Sequence, residues 1–207
     1  MTAAALRGPL WTALRIDVDH DPDRLEHELQ ALHGRLYRPG DRLYGIESVP
    51  SGLPGLVLRC READGEYYVY VEDVARGRLA GYTVFNRLIE LDRRADRHLR
   101  APHSRYAPAY PRLGLATAIY RRALESGLCL LSGARQSPGA HALWMALGRD
   151  HALGFVDLRD RALRYLGTRV DAAAQADLHT RMLLLGQGWS LAWLAARTGM
   201  TMDRSCF

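Results

Sequence analysis

The dipeptide Asp64-Gly65 constrains this chain more than any other pair of residues. It lies inside "GLVLRCREADGEYYVYVED", between two runs rich in strand formers. An Asp-Gly pair reaches the positive φ values of a tight two-residue turn, so the flanking runs read as a β-hairpin. Two strands joined so closely run antiparallel. Helical patterns flank this hairpin. Upstream, Leu25, Leu29, Leu32 and Leu36 recur at spacings of four, three and four, one apolar stripe on a helix. Asp21 offers its N-cap and Pro22 its first position. The helix should end near Tyr37, stopped by Arg38-Pro39-Gly40-Asp41. Before it, Trp11 to Val18 ("WTALRIDV") reads as a strand.

Downstream, Arg78 to Leu91 reads as a further strand, followed by a polar turn and an extended segment whose edges Pro102 and Pro108 make irregular. Leu113 to Gly127 reads as a helix with Leu113, Thr117, Tyr120 and Leu124 on one face and Gly127 as its stop. The short apolar run Leu128 to Ser132 reads as a buried strand. Ser137 then caps a helix with Pro138 in its first turn. "GFVDL" and "ALRYL" form a closing strand pair, and the pattern after Val170 turns helical. Strands with inserted helices imply an α/β or α+β layer fold.

The 207 residues suffice for one sizeable domain, here residues 1–167, with 168–207 as a C-terminal helical extension. The net charge of +5 comes from arginine alone, since lysine is absent. That charge suits an anionic cofactor and does not call for nucleic acid. Cys60, Cys129 and Cys206 are odd in number and widely spaced, so neither a disulfide framework nor a zinc site is indicated. With no leader pattern and no apolar run near 20 residues, a cytoplasmic protein is expected. Asp17, Asp19, Asp21 and Asp23 alternate as in a calcium loop, but Pro22 occupies the turn position that requires glycine, so no metal is expected. "SLAWLAARTGMT" is similar to the first part of a helix-turn-helix, yet too few residues follow it for a recognition helix. It reads as an amphipathic helix whose Trp189 and Trp193 pack on the core or on a partner subunit, a second copy of the chain.

The most chemically suggestive stretch is Pro108-Ala109-Tyr110-Pro111-Arg112-Leu113-Gly114-Leu115-Ala116-Thr117. A small residue at a helix start lets an anion approach unpaired N–H groups at the positive end of the dipole, and Arg112 adds a cation. The alternative is a plain strand-to-helix turn eased by Gly114.

With its neighbours, this stretch resembles the acetyl-coenzyme A loop of GNAT-type N-acetyltransferases, Arg/Gln-x-x-Gly-x-Gly/Ala after a strand ending in Val-x-Pro-x-Tyr. Tyr106 to Tyr110 fill the strand end and Gly114-Leu115-Ala116 the glycine positions. Pro111 stands at the first motif position, with Arg112 one residue later. Ser137 to Arg149 match the spacing of a second family segment, Asn-x-x-Ala-x-x-Leu-Tyr-x-x-x-Gly-Phe, with Ser137 for Asn and Trp144 for Tyr. "LLSGARQSPGAHALW" is similar to a subgroup in which Ser-Asp-x-x-Gln-Ser/Thr precedes a Leu-Trp helix. The resemblance covers residues 43–167.

It implies a mixed, mostly antiparallel sheet flanked by helices, and transfer of an acetyl or other acyl group from acyl-coenzyme A to an amine. It implies that Ser104, Tyr106 and Ala107 lie beside the pantetheine. Arg112, Leu113, Gly114, Leu115, Ala116 and Thr117 would face the pyrophosphate, and Ser137 and Trp144 would complete the cofactor site. Many family members use the tyrosine at the Trp144 position as general acid, a role an indole cannot fill. Candidate catalytic groups are His103 and Glu72 as bases and Ser132, with Gln136, as a hydrogen-bonding group. A catalytically inactive module of the same fold is the alternative.

Overall fold

The computed structural model describes residues 22–110 and 113–202. The expected strand Trp11 to Val18, the cap Asp21, the acidic positions Asp17 and Asp19, Pro111, Arg112 and Cys206 lie outside them. In chain order the elements are α1 (Pro22–Leu36), β1 (Ser48–Pro50), β2 (Leu56–Ala63), β3 (Glu66–Asp73), β4 (Arg78–Asn86), α2 (Arg93–Asp96), β5 (Leu99–Tyr106) and α3 (Leu115–Glu125). There follow β6 (Cys129–Leu131), α4 (Pro138–Leu147), β7 (Leu153–Arg159), β8 (Ala162–Gly167), α5 (Ala172–Ala176), β9 (Thr180–Leu184), α6 (Leu191–Thr198) and β10 (Thr201–Met202). The strands form one mixed sheet in the order β1-β2-β3-β4-β5-β6-β9-β7-β8-β10. Among the described strands only β5–β6 and β8–β10 are parallel. The sheet is mostly antiparallel and helices flank it, as expected.

The hairpin forms as read. Asp64 and Gly65 take φ of 55° and 77°, and β2 pairs with β3 from Leu56↔Asp73 to Ala63↔Glu66. In α1, Leu25, Leu29 and Leu36 are buried and Leu32 packs beside them. Pleat alternation divides the core into two layers. Leu130, Phe155, Met182 and Leu184 face one layer, with Leu124 of α3 and Trp144 and Leu147 of α4. Cys129, Leu131, Val156, Leu183 and Leu185 face the other, with Ala95 of α2 and Leu194 of α6. Among the described residues no helix is long and apolar enough to cross a membrane.

Four expectations change. The strand from Arg78 stops at Asn86. Beyond it Arg87 turns to pair with the buried Asp96, whose other oxygen accepts from Leu88 N–H. The polar turn holds α2, capped by the Asp92 carboxylate. The inward face of α3 carries Leu115, Ile119, Tyr120, Ala123 and Leu124, while Leu113 is exposed ahead of the helix. The segment after Val170 is not continuously helical: α5 is one short turn, and Thr180–Leu184 is strand β9, lying between β6 and β7.

β5 runs unbroken through Pro102. Ala107 N–H donates to the Ala80 carbonyl at 2.9 Å. The register pairs Tyr82 with Arg105 and Val84 with His103. Antiparallel residues alternate between the two edges of a strand. His103 and Arg105 therefore bond toward β4, while Pro102, Ser104 and Tyr106 present their backbone to the other edge. Pro102 lacks its N–H on the side where β4 does not need one.

Candidate functional site

The site begins where two parallel strands part. β5 pairs with β6 only at Leu99↔Cys129 and Arg100↔Leu130. β6 ends at Leu131, and β5 continues to Tyr106. No other described strand pairs with β5 on this side beyond Arg100. The N–H and C=O groups of Ser104 and Tyr106 thus line an open edge.

That edge leads into the start of α3. Gly114 is the N-cap, at φ 68° and with no side-chain cap. The first helical bond runs from Ala118 N–H to the Gly114 carbonyl, 2.8 Å, so the N–H groups of residues 115–117 precede it. A Cβ built on Gly114 would meet nothing within 4 Å among the described residues. The chain leaving β5 is held at Tyr110. Tyr110 is buried, and its hydroxyl donates to Asp73 at 2.7 Å and accepts from Arg78 Nε at 3.0 Å. The Tyr110 hydrogen bond, with those from Arg76, holds the Asp73 carboxyl below the usual range.

Under the open edge lies a chain of hydroxyls. Thr83, fully buried, is 2.7 Å from Ser104 Oγ and 2.8 Å from Tyr106 Oη. Ser104 Oγ donates to Tyr120 Oη at 3.3 Å. Tyr120 comes from α3, is buried, and tilts against Phe85 with ring centroids 5.8 Å apart. Burial raises the pKa of both Tyr106 and Tyr120, so both phenols stay protonated. Among the described residues Tyr120 accepts from Ser104 and donates to no other group. Tyr82 and Arg105 point to the opposite face, where both hydrogen-bond Glu28 of α1. His103 shares the face of Arg105.

The other sequence candidates occupy different places. Glu72 is 1% exposed rather than at a solvent-facing strand end. Arg59 Nε donates to it at 2.6 Å, His33 Nε2 lies 3.2 Å away, and the Tyr37 hydroxyl completes the clamp. Burial alone would raise its pKa, but the bonds from Tyr37 and Arg59 outweigh burial and hold the carboxyl below its ordinary value. A folded pKa below the unfolded one stabilises the fold above the unfolded value, and this stabilisation is lost as pH falls through the folded value. Glu72 is therefore a tie between α1, β2 and β3, and too weak a base for an ammonium.

Ser132 accepts from Met182 N–H at 2.9 Å and donates to the Gly133 carbonyl, so its hydroxyl joins β6 to β9. Ala107 uses its N–H inside the sheet and offers none to the open edge. Ser137 caps α4 by accepting from Ala140 N–H, as read. Trp144, expected at the cofactor, is 3% exposed in the main core. The sequence reading did not single out Thr83, and it placed Tyr120 on the inward face of its helix with no role for the hydroxyl. Their meeting depends on the β4–β5 register and on the face α3 presents, neither of which a motif encodes.

A cavity of about 180 Å³ lies where β6 gives way to α4, lined by Gln136, His141, Phe155, Thr180 and Met182 among others. Gln136 Oε1 is buried with no hydrogen-bond partner among the described residues. A groove of about 380 Å³ between α3 and β2 is larger but reaches no residue of β5. No set of three or more histidine, cysteine, aspartate or glutamate side chains among the described residues is placed to hold a metal ion.

No protein-family model matches the chain, and no curated protein matches it in sequence. Among solved structures, it is similar to a GNAT-superfamily phosphinothricin acetyltransferase from Sinorhizobium meliloti in complex with acetyl-coenzyme A. Identity is 22%, over 60% of this chain and 63% of that one, with a TM-score of 0.38. It is also similar to a spermidine N-acetyltransferase SpeG chimera from Vibrio cholerae and hSSAT, at 17% identity over 83% of this chain and 95% of that one, TM-score 0.35. The chain thus spans less than two thirds of the first structure's length. Likeness at this level assigns no activity.

Proposed function

We propose that the chain transfers an acyl group from acyl-coenzyme A to an amine. The observation that carries this reading is the open edge of β5 running into the uncapped start of α3. An extended arm bearing amides can add to that edge as a strand would, through Ser104 and Tyr106. A polyanion at the end of the arm then meets the N–H groups of residues 115–117 and the positive end of the helix. Arg112 is the cation proposed beside it. Bound acyl-coenzyme A supplies the activated thioester, and the protein has to orient it and stabilise charge on the leaving sulfur.

Tyr120 is the group proposed for the sulfur. Its hydroxyl accepts from Ser104 and keeps its own hydrogen to donate. It replaces the phenol that Trp144 does not provide. His103, the base expected from the sequence, lies on the other face of β5 from Tyr120, so the amine is proposed to give its proton to water. The amine is proposed to enter through the cavity beside Gln136, whose unpaired Oε1 suits an N–H donor.

Two measurements test the reading. Saturating acetyl-coenzyme A at about 100 times its Kd should stabilise the fold by about 2.7 kcal/mol in a thermal melt. No shift at millimolar cofactor overturns the reading. Tyr120→Phe should lower kcat about 100-fold in a thiol-release assay and leave the KM for acyl-coenzyme A unchanged. An unchanged kcat removes Tyr120 from the chemistry. The buried Trp144 favours one second reading, an inactive binding module, which would show the thermal shift and release no thiol with any amine.

A further inference from the structure

α2 and α6 are distant in sequence and meet in the fold. Arg94 joins them, its Nε donating to the Arg197 carbonyl at 2.8 Å and its other arm to the Ala196 carbonyl. Arg93, Arg97 and Arg197 are exposed, and none pairs with a carboxylate among the described residues. The carboxylates of α2 are engaged elsewhere: Asp92 caps the helix, and buried Asp96 holds Arg87. Burial and then the field of Arg197, Arg97, Arg100 and Arg94 depress the pKa of His98, whose ring lies 5.4 Å from that of Trp189. Beside them Trp193 is 47% exposed and stacks on Trp189, centroids 4.6 Å apart. Trp189 is fixed by its Nε1–H on the Gly127 carbonyl, 2.9 Å, and Arg197 lies 5.7 Å from the Trp193 centroid.

From this juxtaposition we infer that the α2–α6 surface binds single-stranded nucleic acid. Guanidinium forks match phosphate oxygens two at a time. An indole at the surface offers a face on which any base stacks, provided Arg197 turns to a phosphate. An acidic peptide would use the charge and leave the indole idle. Duplex DNA would keep its bases stacked on each other. A second copy of the chain would bring the same guanidiniums face to face, which opposes self-association here. The net charge gives no hint of this surface, because the concentration of arginine is local. The inference is independent of the acyl-transfer reading.

The test is fluorescence anisotropy of a labelled oligothymidylate of about 20 nucleotides, titrated with the full chain at several salt concentrations. Saturable binding is expected, with log K falling against log salt at a slope of about −2 to −3 for three or four phosphates. Arg93→Glu with Arg97→Glu should weaken binding at least about tenfold and flatten the slope. Trp193→Ala should weaken it about tenfold and leave the slope unchanged. These side chains are exposed, and Arg97, the C-cap residue of α2, caps through its backbone N–H alone, so thermal melts of the variants should match the parent. Three results overturn the inference: no binding at about 50 mM salt, binding indifferent to the arginine variants, or equal binding of duplex or polyglutamate that Trp193→Ala does not weaken.

Discussion

Arg59→Met is expected to destabilise the fold by about 3–5 kcal/mol, because it leaves the Glu72 carboxylate buried without its cation. Arg59 holds Glu72 through Nε and the Ile46 carbonyl through a second nitrogen, both at 2.6 Å. Burial, which the bonds to Glu72 now outweigh, would dominate in the variant and raise the folded pKa of Glu72. The parent gains stability from this carboxyl as pH rises, and the variant loses it. The deficit should therefore be small in acid and grow toward neutrality. Denaturant melts across that range measure it, and a deficit independent of pH would assign the loss to packing alone.

The second large effect is expected at Gly81. A Cβ there would sit 2.4 Å from the Arg105 carbonyl oxygen and 2.3 Å from Tyr106 Cδ1. Gly81→Ala should cost about 3 kcal/mol by forcing β4 and β5 apart, seen as a fall in melting temperature of about 6–12 °C. Trimming Tyr106 to alanine in the same chain removes only the ring clash. The backbone oxygen stays, so the double variant should not recover the parent's stability. Full recovery would show that the ring alone enforces glycine at this position.

What the sequence disclosed was local. Asp64-Gly65 encodes its own turn, Ser137-Pro138 its own cap, and the α1 leucines their own stripe. β9 stayed hidden for a physical reason. It is buried on both faces, Met182 and Leu184 toward one layer and Leu183 toward the other, with Leu185 just beyond its end, so its run has no period of two. The alanines of α5 just before it strengthened the helical reading. Glu72 was visible as a carboxylate on a strand, but the donors that engage it come from α1, its C-terminal turn and β2. The edge at Ser104 and Tyr106 was legible only through the family resemblance, because nothing in "HSRYA" says which neighbour β5 lacks.

The position of β9 bears on how the chain is made. Among the described residues, β9 is the only strand joining the β1–β6 part of the sheet to β7, β8 and β10. A ribosome must therefore release residue 184 before the hairpin of β7 and β8 has a place to dock. Until then the Leu130 and Leu131 edge of β6 waits uncovered. Synthesis that stalls between Gly167 and Thr180 should yield a nascent chain that chaperones hold and proteases cut, even though all of β5 and α3 has been made.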